Sequence, residues 1–204
     1  KKINVDGTKN IIKALSTLKE PPKWFFFAST SHVYPSTNFY KIISEKCRTK
    51  PYSKYGKTKK EAEKIIQKNF NNKNIKFCIG RIFSFTDKRQ KPPYVIPSLF
   101  TKIKKKRKSI LLSNLNHYRD FISTKDIALA INLLFKKKKR GIFNIGSGNS
   151  INLKSIAKII AKKEKRKILF GTDNNPTYLL SDSKKLKKLG WKPKKFKNNI
   201  SYFY

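Results

Sequence analysis

The sequence predicts an α/β fold built on a parallel sheet. WFFFA, residues 24–28, is a short unbroken apolar run, the mark of a strand covered on both faces. Segments of helical and strand period alternate along most of the chain. No internal repeat is evident, and no apolar run approaches the roughly 20 residues of a membrane span.

TKNIIKALSTLK, residues 8–19, places Ile11, Ala14, Leu15 and Leu18 at helical spacing, and Pro21 and Pro22 stop the pattern. The strand at 24–28 follows and ends in STSHVY, which should be a loop at the carboxyl edge of the sheet. SKYGKTKKEAEKIIQKN predicts a second helix with Ala62, Ile65 and Ile66 inward, and IKFCIGRIF at 75–83 a second strand. Residues 84–118 lose the rhythm. Pro92, Pro93 and Pro97 break them and the basic stretch KIKKKRK follows, so this part reads as an insertion or separate lobe. STKDIALAINLLFKKKK restores a helix, with Ser123 and Asp126 suited to a capping box, Ile127, Ala130, Ile131 and Leu134 as its stripe, and closing lysines that favour the negative helix end. After it come the strand IFNIG, a helix over about 152–163, a strand near 168–170 and a short helix ending at Gly190.

Composition narrows the function. The formal net charge is +39, which by itself points toward nucleic acid or anionic membrane. The lysines, however, are spread along the whole chain and accompanied by abundant Asn, Ile, Phe and Tyr. We read this as compositional drift toward AT-rich codons and expect neither specific nucleic-acid binding nor membrane attachment. Cys47 and Cys78 form no CxxC and have only His32 and His117 to help them, so neither a metal site nor a disulfide framework is expected, and a reducing cytoplasm fits. The chain has no methionine, from which we expect a piece of a longer protein.

The chemistry concentrates in PYSKYGKTK. Tyr55 and Lys59 stand four residues apart where a helix should begin, so they share one face. An ammonium beside a phenol favours the phenolate and lowers its pKa from about 10, as a tyrosine acid/base requires. With nine tyrosines and 50 lysines and arginines in the chain, the spacing alone carries little. Its context carries more: Ser29, Thr30 and Ser31 lie in the strand-end loop, where open α/β sheets bind ligands.

FFFASTSHVY, followed by PYSKYGKTK with Thr30 25 residues before Tyr55, resembles the active-site segment of the extended short-chain dehydrogenase/reductases, the NAD-dependent epimerase/dehydratase family. INVDGTKNII, RIFSF, YRDFISTKDIALAI, FNIGSG and SDSKKLKKLGWKP resemble further family segments in the same order. The resemblance implies a partial Rossmann-type doubly wound parallel sheet, its first βαβ part missing, with a smaller α/β substrate-binding lobe. Residues 1–83 would be the remaining part of the dinucleotide-binding domain. Residues 84–204 would be mainly the substrate lobe, with 119–146 returning to the first domain.

The resemblance also implies roles. Tyr55 would be the acid/base at a sugar oxygen, Thr30 would bind the same oxygen, and Lys59 would bind the nicotinamide ribose and depress the tyrosine pKa. Asn4 and Ser29 would lie near an NAD or NADP cofactor, and Arg119 would contact a nucleotide diphosphate, with Ser84, Ser31 and His32 near the substrate. Asn4 has capping of the first helix as its alternative role. Arg119 has an ion pair with Asp120 or Asp126, and Asp126 itself is assigned to capping.

The implied activity is nucleotide-sugar epimerisation. A nucleotide 4-keto-sugar reductase is the alternative within this class, and an inactive binding remnant of the same fold the alternative outside it. A homodimer through the helices holding Lys9–Leu18 and Tyr55–Lys68 is implied as well. Departures are visible. No glycine-rich pyrophosphate turn lies in residues 1–20; Ser31 and His32 stand where 4,6-dehydratases carry acidic residues; Ser84 replaces a common asparagine and Asp87 a glycine; and no second diphosphate-binding arginine appears near Thr172. Poor solubility of the chain on its own is therefore expected.

Overall fold

The computed structural model describes residues 2–70, 75–105 and 109–194. A π-helical turn at Lys2–Asp6 leads into α1 (Gly7–Thr17), β1 (Trp24–Thr30) and a 3₁₀ turn at Ser31–Val33. β2 (Ile42–Ile43), α2 (Lys54–Phe70), β3 (Lys76–Ile82) and β4 (Ser84–Thr86) follow. Then come α3 (Val95–Lys105), β5 (Ile110–Leu112), β6 (His117–Arg119), β7 (Phe121–Ser123) and α4 (Thr124–Lys136). β8 (Gly141–Ile145), β9 (Ile151–Asn152), α5 (Leu153–Lys163), β10 (Ile168–Phe170), β11 (Thr177–Ser181) and α6 (Lys184–Lys187) complete the described order.

The central sheet is parallel, with β3 between β1 and β8. Successive side chains of a strand point to opposite faces, and that explains the aromatic run in β1. Phe25 and Phe27 pack on one face with Ile12 of α1 and Ile66 and Phe70 of α2. Trp24 and Phe26 pack on the other with Ile127, Ala130 and Leu134 of α4. Two helical layers thus sandwich the sheet, and each fully buried large apolar side chain contributes roughly 1.5–3 kcal/mol. Both tryptophan N–H groups are satisfied, Trp24 by the Lys139 carbonyl at 2.8 Å and Trp191 by that of Asp126 at 3.1 Å.

A separate apolar cluster joins Ile96, Leu99 and Ile103 of α3 to Ile156, Ala157 and Ile160 of α5, floored by Ile110 and Leu112. Parallel β5–β10, parallel β4–β7 and the order β2–β11–β6–β9 supply the remaining pairing. Because β4 pairs with β7, Ser84 opposite Phe121, the chain leaving the central sheet lies beside the strand that leads into α4.

Two readings change, for α1 and for Pro97. The buried face of α1 is Thr8 and Ile12 with Leu15 packed against the core, whereas Ile11 and Leu18 are half exposed. Two isoleucines in succession left the phase of that stripe ambiguous, and α1 ends at Thr17, ahead of the prolines. Pro97 does not break residues 84–118: it sits in the first turn of α3, where the missing N–H would have no helical partner. At α4 Ser123 is the N-cap, its Oγ accepting from the Asp126 amide at 3.0 Å and donating to the Asp126 carboxylate at 2.8 Å, so the pair closes through the hydroxyl and not through the Ser123 amide as in a full capping box. Residues 106–108 of the basic stretch lie outside the described residues.

Candidate active site

Thr30 ends β1 in extended geometry, and its hydroxyl accepts from the His32 amide at 3.3 Å, capping the 3₁₀ turn. α2 meets this turn with its amino end. Ser53 Oγ accepts from the Gly56 amide at 3.0 Å, and a Cβ on Gly56 would overlap the His32 carbonyl oxygen. Only a residue without a side chain permits that approach, which seats Tyr55 against the turn that follows Thr30, and both side chains line one cavity. The Tyr55 ring meets His32 edge-on at 6.1 Å between centroids.

One turn along α2, Lys59 Nζ donates to the Ala28 carbonyl at 3.0 Å and lies 4.9 Å from the centre of the Phe27 ring. The sequence led us to expect this ammonium to lower the tyrosine pKa. The direction is the opposite: burial raises Tyr55, and the neighbouring Thr30 hydroxyl offsets this only in part. The cause is geometric, since the ammonium is engaged by a backbone carbonyl, and burial lowers the pKa of Lys59 itself.

These groups border a cavity of about 790 Å³ whose wall also includes Ser29, Ser31, His32, Ser84 and Arg119. Phe83, Phe85, Ile96, Phe121 and Leu153 give it a largely apolar lining. Arg119 donates to the Tyr118 and Thr177 carbonyls at 2.8 and 2.9 Å and to Thr177 Oγ1 at 3.0 Å. It pairs with neither Asp120 nor Asp126, and among the described residues it forms no ion pair. Asp120 is instead occupied by Ser147, Gly148 and Ser181. Burial lowers the Arg119 pKa, and burial followed by the Arg119 charge lowers that of His32.

Asn4 is not on the wall, and it does not cap α1. Its amide donates to Thr58 Oγ1 at 3.0 Å, and that hydroxyl donates to the Tyr55 carbonyl at 2.9 Å, so Asn4 acts on the helix that carries the tyrosine. Ser29 is buried, with its hydroxyl donating to Glu63 Oε1 at 2.6 Å. Among the described residues no group of three His, Cys, Asp or Glu side chains could hold a metal, and no helix is long and apolar enough to cross a membrane.

Sequence reasoning missed the polar network behind this wall. Glu63, Arg81, Tyr34 and Asn144 form a buried chain of hydrogen bonds that starts at Ser29. An arginine inside the largely apolar IKFCIGRIF, and a glutamate four residues beyond Lys59 on one helix face, were the available signals. Thr86, Gln90 and Tyr94 also line the cavity without having been singled out.

The family profile described as GDP-mannose 4,6 dehydratase matches residues 1–201. A Methanocaldococcus jannaschii protein named as a UDP-glucose 4-epimerase is 31% identical over 202 residues, 94% of this chain and 64% of that protein. A dTDP-D-glucose 4,6-dehydratase of Bos taurus is 26% identical over 94% of this chain and 57% of its own length. The chain thus spans about three-fifths of the relatives it matches. Among solved structures, that of RMD from Pseudomonas aeruginosa complexed with NADPH superposes with a TM-score of 0.88 at 20% identity, covering 99% of this chain and 72% of that one. The profile match along residues 1–201 shows that the chain belongs to the GDP-mannose 4,6-dehydratase family, within the NAD-dependent epimerase/dehydratase group of short-chain dehydrogenase/reductases.

Proposed function

We propose that this chain is the substrate-reacting part of an NAD(P)-dependent nucleotide-sugar enzyme, and that its reaction is epimerisation at a sugar carbon. The observation that carries this reading is that Tyr55 and Thr30 stand together on the wall of a cavity that also holds Arg119, a cation without a carboxylate partner among the described residues. Thr30 holds the reacting sugar oxygen, and Tyr55 gives or takes its proton. A phenol raised by burial stays protonated at neutral pH, so it is poised as the donor. Arg119 takes the diphosphate, as a planar multiple donor suits phosphate oxygens. Ser84, Ser31 and His32 border the sugar.

When bound, the nicotinamide cofactor supplies and takes back the hydride. Lys59, with its ammonium at the cavity wall, fits the nicotinamide ribose hydroxyls. The Ser29 hydroxyl and the Asn4 amide have partners in Glu63 and Thr58, and they fit a supporting place beside that ribose. No residue of this chain is assigned to the cofactor pyrophosphate. The exposed Ile11 on α1 and Leu18 just past its end fit a homodimer through α1 and α2.

The test is Tyr55→Phe in the protein at its full natural length, assayed on UDP-, GDP- and dTDP-sugars. Loss of the acid/base should lower kcat about 10²- to 10⁴-fold, and undiminished turnover rejects the role. The second reading, a 4-keto-sugar reductase, is favoured over dehydration because Ser31 and His32 follow Thr30 where a dehydratase needs an acid. Stoichiometric NADPH consumption with a keto-sugar would select it, and interconversion without external reductant selects the epimerase.

A further inference from the structure

Within the largely apolar wall of the cavity, two polar atoms stand without partners among the described residues. Thr86 is 1% exposed; its hydroxyl, like the side-chain carbonyl of Gln90, is buried and has no hydrogen-bond partner among those residues. Both residues line the cavity. A buried hydroxyl or amide oxygen without a partner is costly, and folded proteins rarely leave one so unless something else satisfies it.

Their placement is built. Ser84 and Thr86 are two residues apart on β4, so they share a face of the strand, and pairing with Phe121 and Ser123 of β7 fixes that face. The chain then turns, the Gln90 amide donating to the Asp87 carbonyl at 2.9 Å. Asp87 clamps the turn: its carboxylate accepts from the Arg89 amide at 3.0 Å, from Arg89 Nε at 2.9 Å and from the Thr124 hydroxyl at the start of α4. Arg89, with Thr124, holds that carboxyl well below the usual range. A hydroxyl, a hydroxyl and an amide oxygen therefore follow one another along an apolar wall.

We propose that Thr86 and Gln90 form a specificity subsite that accepts hydroxyl groups of the sugar ring. The assignment rests on the nucleotide-sugar reading above. A sugar hydroxyl donates to the Gln90 oxygen and exchanges a hydrogen bond with the Thr86 hydroxyl, so the same contacts that bind the ligand satisfy both buried groups. A nicotinamide carboxamide carries similar donors, and the test separates the two.

The experiment uses the protein at its full natural length and three variants of calorimetric titration: UDP-glucose, dTDP-glucose and GDP-mannose; the matching free nucleoside diphosphates; and NAD alone. Thr86→Val keeps the shape and removes the hydroxyl, and Gln90→Leu removes the amide. Each should weaken the best-bound sugar nucleotide about 3- to 10-fold, the loss of one neutral hydrogen bond, with affinity for the diphosphate and for NAD unchanged. Thr86→Val should also leave the melting temperature of the ligand-free protein equal or higher, because it removes an unsatisfied buried group. A purely structural threonine would show the opposite sign. Undiminished sugar-nucleotide affinity in both variants overturns the subsite alone, as does an equal loss for the free diphosphate or a loss confined to NAD. Failure of the wild type to bind any of the three sugar nucleotides overturns the functional reading and the subsite with it.

Discussion

Arg81 and Glu63 form a two-pronged ion pair inside the protein, Nε to Oε1 at 2.9 Å and Nη2 to Oε2 at 2.7 Å, with neither side chain more than 2% exposed. Burial alone would raise the Glu63 carboxyl, but the Arg81 hydrogen bonds and charge reverse this and hold it below its ordinary value. The pair fastens α2 to β3, and through Ser29 it reaches the end of β1 next to Thr30.

Removing one partner leaves the other charge buried and uncompensated. Glu63→Ala should cost about 3–5 kcal/mol in denaturant unfolding, whereas Glu63→Met with Arg81→Met should cost less than the sum of the two single changes. Additive losses would show that the two side chains act independently.

Gly56→Ala tests the approach of α2 to the His32 carbonyl. The added methyl overlaps a backbone oxygen and so has no flexible neighbour to displace. The helix end must move, which should cost roughly 1–3 kcal/mol of stability. Separating Tyr55 from Thr30 by about 1 Å should also lower kcat on the order of 10²-fold. Full activity with a normal melting temperature would mean the turn gives way instead.

Tyr34 makes stability sensitive to alkali. Burial pushes its phenol up to about 12 from 10.0, despite the Arg81 guanidinium beside it. A group whose folded pKa is raised contributes stability that is fully present below the unfolded value. Between pH 10 and about 12 the unfolded chain loses this proton while the folded one keeps it, so stability should fall across that window. Unfolding free energy measured from pH 9 to 12 should decline less steeply in Tyr34→Phe, and an identical slope would assign the effect to other groups.

Arg119 should matter for the diphosphate more than for hydride transfer. Arg119→Ala is expected to weaken binding of a free nucleoside diphosphate roughly 10- to 100-fold, the worth of a charged hydrogen bond or two. Arg119→Lys should recover only part of this, because an ammonium lacks the fork. Calorimetric titration reads both, and an unchanged affinity would place the diphosphate elsewhere.

The site was legible where chemistry is written in contiguous residues. Tyr55, Lys59 and Ser29–Ser31 could be placed because one helix turn and one strand end hold them, although β1 runs on through Thr30 where a loop was expected, and the alternating faces of β1 followed from its apolar run. The direction of the Tyr55 pKa shift could not be read: it depends on Lys59 facing the Ala28 carbonyl, a contact 31 positions away in sequence. The Glu63–Arg81 pair was hidden for the same reason, since a helix and a strand 18 positions apart must dock before it exists. The phase of α1 failed because Ile11 and Ile12 satisfy helical periodicity equally, and only the partner surface decides between them.

Asp120 carries a consequence for behaviour in salt. It is fully buried and accepts from the amide and hydroxyl of Ser147, the amide of Gly148, and the amide and hydroxyl of Ser181, so β8, β11 and the strand bearing Arg119 are tied at one point. Every donor there is a neutral dipole. In a chain of net charge +39, the surface lysines feel ionic strength strongly, while this buried knot is screened very little. Raising salt should therefore quiet the repulsion of the exterior without loosening the knot at the residue that follows Arg119, so the protein is best handled in brines that would strip an ordinary polyanion binder from its partner.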